Sequence, residues 1–250
     1  ELPPLTAEEL ADLPALPEGW AYAALETISF TVSDGDHQAP PKADEGIPFI
    51  TISNIKNNVI NFSDTKYVPQ SYFDALSPER KPMKGDILYT VTGSFGIPSL
   101  VNFNLEFCFQ RHIGLIRPTK STNVLYLYYL LTADLVYKQA LAVATGTAQK
   151  TVPLSGLREF KLPVPCQNEQ HQIVQEIESR FSVVEKMEQT IDESLQKAEA
   201  LRQSILKRAF EGKLVPQDPT DEPASELLAR IRAERGKVPA TGRKKKEAAA

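Results

Sequence analysis

The stretch from residue 167 to about residue 212 carries an almost unbroken helical signal, and its apolar residues recur at heptad spacing. Ile177, Val184, Ile191, Ala198 and Ile205 fall on one seam position, and Ile173, Met187 and Leu201 on the other. Phe181, Leu195 and Ala209 flank the seam, while Arg180, Ser194 and Arg208 interrupt it. At about 1.5 Å per residue, ~45 residues of helix span ~67 Å, wider than a domain of roughly 150 residues. Such a helix needs a partner. The pattern predicts a coiled coil with another chain or with a second repeat, the alternative being a helix folded back on its own domain.

The remainder is an ordinary chain with material for one core and an appendage: 250 residues, 42% hydrophobic and 24% charged. A net charge of -4 and a pI near 5.6 argue against coating nucleic acid by bulk charge, though not against a local basic face. Two cysteines, Cys108 and Cys166, make neither a disulfide frame nor a zinc site, which points to a reducing compartment such as the cytoplasm. No run reaches 18 apolar residues, and the acidic, Pro-interrupted start is unlike a signal peptide.

Residues 1–17 mix Pro with a short turn that opens on the capping-box pattern Thr6-Ala7-Glu8-Glu9, and so read as a linker. From Trp20 onward, strand-like runs at residues 47–52, 59–62, 86–91, 100–103, 107–109 and 113–116 alternate with turn residues. An irregular, mostly antiparallel β domain follows, of the α+β class, over residues 18–165. One helix is predicted within it, at about 123–142, and residues 152–157 and 160–164 are read as returning strands. The long helix takes 166–212. Residues 213–250 form a tail with a short helix at 225–235 and a disordered basic end around Arg243-Lys244-Lys245-Lys246.

Catalysis requires convergent groups. His171 opens the long helix and reads as solvated or partner-facing. His37 could join Asp34 and Asp36 at a metal, but no second cluster completes the ligand set, so no metal is assigned. Pro3-Pro4 and Pro40-Pro41 lack the leading Asn or Asp and the following aromatic of an adenine methyltransferase. Gly93-Ser94-Phe95-Gly96 lacks the strand-to-helix context of a nucleotide loop, and no nuclease pattern of Asp with Glu-x-Lys is found. What remains is a set of polar loops whose side chains are of the types that read base edges and hold phosphates. They contribute His37, Gln38, Lys42, Asn54, Lys56, Thr92, Ser94, Arg111, His112, Thr147, Gln149 and Lys150 as candidate DNA contacts.

An ordered series of motifs now becomes meaningful: Leu16-Pro17-Glu18-Gly19-Trp20, Asp34-Gly35-Asp36-His37, and Gly85-Asp86-Ile87-Leu88 leading to Gly93-Ser94-Phe95-Gly96. Gly146-Thr147-Ala148-Gln149-Lys150, Leu162-Pro163-Val164-Pro165 and Phe210-Glu211-Gly212-Lys213-Leu214-Val215-Pro216 complete it. Together they resemble the specificity subunit of Type I restriction-modification enzymes. That family has two target recognition domains, each followed by a spacer helix, and the helices pair antiparallel. The resemblance implies that this chain is one such half, either the C-terminal half of a full subunit or a natural half-length subunit. It implies a non-catalytic chain that reads one part of a split target in the major groove of double-stranded DNA. Methyltransferase and restriction subunits would then act at the target, carrying the S-adenosylmethionine, ATP and Mg that this chain does not bind. A fused restriction or methylation enzyme and a structural coiled-coil protein are the rival readings.

Overall fold

The computed structural model describes residues 5–11 and 13–237. The expected basic end at Arg243-Lys244-Lys245-Lys246 and the first four residues of the linker lie outside the described residues. The chain divides into two compact units, Glu1–Ser182 and Val183–Ala250.

In the first unit the Thr6 capping box forms as expected and starts α1 (Ala7–Leu10). Then come β1 (Ala21–Ala24), β2 (Ser29–Asp34), β3 (Ile47–Ile50), β4 (Ile55–Lys56), β5 (Val59–Ile60) and β6 (Lys66–Val68). Helix α2 (Gln70–Ala75) leads to β7 (Ile87–Thr90), β8 (Pro98–Leu100), β9 (Cys108–Phe109) and β10 (Ile113–Pro118). Helices α3 (Val124–Leu131), α4 (Asp134–Val143) and α5 (Leu154–Arg158) precede β11 (Lys161–Val164) and the start of α6 (Gln167–Phe210).

The central sheet has the order β2-β10-β7-β8, with every neighbour antiparallel. Alternation along its strands explains why they read as solid apolar runs. Ile87, Tyr89 and Ile116 face one core with Leu127, Leu131, Val136 and Leu157 of the helices. Leu88, Ile113 and Leu115 face a second core with Ile50, Phe107 and Phe109. A sheet buried on both faces needs apolar residues at every position. Small sheets complete the unit: β6-β3-β9, the hairpin β4-β5, and β1-β11. The β3–β9 pairing is parallel, a departure from the otherwise antiparallel pattern. Asp86, buried to 1% exposure, accepts two bonds from the Arg117 guanidinium at 2.8 Å each and caps the Met83 N–H.

Two expectations need correcting. The single helix over 123–142 is two helices: the Thr132 hydroxyl bonds back to the Tyr129 carbonyl, and the chain is extended at Ala133. The strand read at 152–157 is instead α5, entered through Pro153 at its N-cap, where a φ near -65° suits a helix start. Strands β1, β2, β4 and β6 and helix α2 were not expected.

The first turns of α6 pack into this unit. Gln170, 2% exposed, accepts from the Asn123 N–H at 2.8 Å and donates to the Pro165 carbonyl at 3.1 Å. Trp20 donates its indole N–H to Glu169, and Tyr129 meets Phe181 edge to face. In the second unit α6 ends at a left-handed Gly212, with Lys213 N–H bonded to the Arg208 carbonyl and Gly212 N–H to that of Ala209. This is the six-to-one and five-to-two closure that a glycine permits. Helix α7 (Ala224–Lys237) follows. Among the described residues, no helix is long and apolar enough to cross a membrane.

Candidate nucleic-acid interface

The polar loops are joined to one another through their backbones. Gly35 lies so close to the chain at Phe109 and Gln110 that a Cβ there would sit 2.2 Å from the Phe109 carbonyl oxygen. Only glycine permits that approach. Asp36 then bridges to Gln110, which is tied in turn by its N–H to the Ile50 carbonyl. The Val91 N–H donates to the His112 carbonyl and the Val152 N–H to that of Val91, so the 91–96 loop links 110–112 to 144–151. A Thr92 to Thr151 bridge and a bond from the Gly93 N–H to the Lys150 carbonyl complete the seam. Gly146, at φ 101°, closes the 145–151 loop on itself. Thr90, fully buried, donates to the Ser94 carbonyl and accepts from the Ile97 N–H, which shapes the loop between them.

The predicted residues divide according to this geometry. His37, Gln38, Lys42, Arg111 and His112 line one open groove. Ser94, Thr147, Gln149 and Lys150 are exposed on the joined 91–96 and 144–151 loops, and Lys56 is exposed on β4. Asn54 and Thr92 are corrections. Asn54 is buried, and its amide accepts from Thr51 and donates to the carbonyls of Asn61 and Ser63. Thr92 is 4% exposed, and its hydroxyl accepts from Thr151. Both are buried and hold the loops in shape.

Lys66, missed from sequence, lines the groove as well, and so does Gln110 of the polar run 110–112. Lys66 alternates with buried Val68 on β6, a signal available only once that strand is recognised. Gln110 Nε2 lies 3.0 Å from His112 Nδ1. Burial, reinforced by the charge of Arg111, holds the His112 imidazole below its ordinary range.

The acidic residues of the 34–38 turn have partners. Arg80 reaches Asp34 at 3.6 Å and Asp36 at 3.4 Å, His37 Nε2 is 2.7 Å from Asp34, and Tyr72 donates to Asp36 at 3.0 Å. Burial acts to raise the Asp36 carboxyl, but bonds from Gln38 and Tyr72 and the Arg80 charge hold it below the usual carboxylate range. These carboxylates organise the loop, leaving the cations Lys42, Lys66 and Arg111 to set the character of the groove. Among the described residues no cluster of three His, Cys, Asp or Glu could hold a metal.

The seam residues of the long helix fall in both units. Ile173 and Ile177 are half-buried in the first. Val184, Met187, Ile191, Leu201 and Ile205 in the second are 45–62% exposed.

The family described as Type I restriction modification DNA specificity domain matches residues 33–197. The chain is 27% identical over 242 residues to the Type I restriction enzyme EcoBI specificity subunit of Escherichia coli, covering 92% of this chain and 50% of that protein. It is 26% identical to the EcoKI specificity subunit of Escherichia coli strain K12, covering 88% and 50%. Of the solved structures, the HsdS subunit from Thermoanaerobacter tengcongensis shares the fold with a TM-score of 0.57 at 22% identity, over 81% of this chain and 48% of that one. A structure described under complex assembly and conformational transition of the type I R-M system gives a TM-score of 0.63 at 22% identity, with the same coverage. The chain spans about half the length of the curated relatives it matches.

Proposed function

The chain belongs to the family of Type I restriction modification DNA specificity domains, and from that membership we propose that it reads one part of a split target in the major groove of double-stranded DNA. The observation that carries this reading is the joining of four polar loops, 34–42, 91–96, 110–112 and 144–151, by backbone bonds into one connected framework. It presents Lys42 and Arg111 in the groove, where Lys66 of β6 joins them beside amides and hydroxyls. Cations hold phosphates and set register, while amides discriminate bases.

Residues 18–165 act as the target recognition domain and residues 166–212 as the spacer helix, after the 1–17 linker and before the 213–250 tail. The exposed apolar stripe on the helix supports pairing with the other half of a subunit, or with a second copy, as an antiparallel coiled coil. Methylation and cleavage reside in methyltransferase and restriction subunits, which bring S-adenosylmethionine, ATP and Mg. The assembly works in the cytoplasm. Co-expression with a cognate methyltransferase subunit, followed by mapping of methylated adenines, tests the reading. One sequence motif is expected, and the chain alone should give no calorimetric response to S-adenosylmethionine. Methyl transfer by the chain alone, or methylation with no motif, overturns it.

A further inference from the structure

The hairpin β4-β5 is built as a rigid finger. Ile55 pairs with Ile60 and Lys56 with Val59. Both isoleucines are buried in the core beneath, so the alternation along each strand turns Lys56 and Val59 outward together. Asn57 and Asn58 between them both have left-handed φ, 51° and 63°, as a two-residue turn of type I′ requires.

Two clasps fix the finger. At its root, the Asn54 amide ties Thr51 to the carbonyls of Asn61 and Ser63. At its tip, the Asn58 amide donates to the Pro98 carbonyl at 2.9 Å. The root adjoins the groove, because Thr51 lines it together with Gln110 and Arg111. Val59 is nevertheless 61% exposed, beside exposed Lys56 and Asn57.

The major groove admits a two-stranded ribbon. There an ammonium finds phosphate or guanine, an asparagine pairs with adenine, and apolar groups contact the thymine methyl. The tip carries one residue of each kind on a backbone held at both ends. We propose that this hairpin is a base-reading finger, with Val59 packed on the C5-methyl of a thymine and Asn57 facing an adjacent base edge. The proposal rests on the DNA-binding reading above and assigns one of its contacts.

The test is selection from a pool of centrally randomised duplexes by the full chain, followed by affinity measurement on the selected motif. Replacing the contacted thymine with uracil removes one methyl and should weaken wild-type binding about 4-fold, the worth of one buried methyl-sized group. Val59→Ala should show a similar loss on the thymine duplex and no further loss on the uracil duplex. Asn57→Gly keeps the turn, since glycine accepts positive φ, and should lose about 5-fold or more in discrimination at a neighbouring position. A loss for Val59→Ala that is equal on both duplexes overturns the methyl contact. Unchanged motifs in both variants remove the finger from base reading. Failure of the wild type to select any motif sinks the DNA-binding reading itself, a separate and recognisable result.

Discussion

Replacing Arg117 with Met strands the Asp86 carboxylate at a site where it is 1% exposed. Arg117 reaches both carboxylate oxygens at 2.8 Å, and its Nη2 also donates to the Lys81 carbonyl at 2.9 Å. Hydrogen bonds to charged groups contribute about 1.5–3 kcal/mol each, so the two to the carboxylate sum to roughly 3–6 kcal/mol. Breaking a buried pair from one side costs about 3–5 kcal/mol, and the two figures agree. For a domain of this size that corresponds to a fall in Tm of about 6–20 °C. Urea unfolding followed through Trp20 reads the right unit, since its indole bonds to Glu169 at the root of α6 and it is the chain's single tryptophan. Asp86→Asn in the same background removes the stranded charge and keeps an acceptor for the Met83 N–H, so the double variant should regain most of the loss. A drop below about 1 kcal/mol for Arg117→Met would place the pair with ordinary surface ion pairs. Equal instability of the single and double variants would show that the charge on Asp86 is not the cause.

Three further outcomes are expected. Lys150→Ala should weaken binding to all duplexes alike and lower the salt slope by about 0.9, whereas Gln149→Ala should erode discrimination by about 1–3 kcal/mol; equal affinity of both variants and wild type for selected and scrambled DNA would exclude this loop from the interface. Val184→Lys combined with Ile191→Lys should abolish self-association or pairing with the other half in sedimentation, because it places charge in the seam, and an unchanged assembly state would locate the pairing face elsewhere. Cys166 is exposed, while burial pushes the Cys108 thiol up to about 12. A disulfide reagent should therefore titrate one thiol in the native chain and two after unfolding, and rapid titration of both would contradict the packing of β9.

The elements legible in the sequence were those whose burial is uniform or strictly periodic. β7 and β10 read as strands because both faces of the central sheet are covered, and α6 because one pattern persists until Gly212 stops it. β2 was missed because its exposure varies along its length, with Phe30 at 64% beside buried Val32 and Ser33. α5 was misread because five residues are too few for a helical period to emerge, and its start at Pro153 leaves no polar cap to announce it. The loops of the candidate interface were visible as composition, but composition does not separate a side chain facing solvent from one tying down the backbone. Asn54 and Thr92 are of the same types as Gln149 and Ser94. Only the fold shows that the first two are occupied internally.

The pairing of β1 with β11, from Ala21 opposite Val164 to Ala24 opposite Lys161, brings the two ends of the intervening 136 residues side by side. A segment whose ends meet can be exchanged as a cassette, with crossover points just before Ala21 and just after Val164. The joint to α6 suits such exchange, because Gln170 bonds only to main-chain groups, the N–H of Asn123 and the carbonyl of Pro165. Its grip does not depend on the incoming segment's side chains, provided that segment folds alike and presents an N–H where Asn123 now does. The Tyr129 contact with Phe181 and the burial of Val174 are side-chain matches to preserve. Exchange of the whole segment would therefore replace the interlocked loops together while the helical frame stays as it is, where single substitutions alter them one residue at a time.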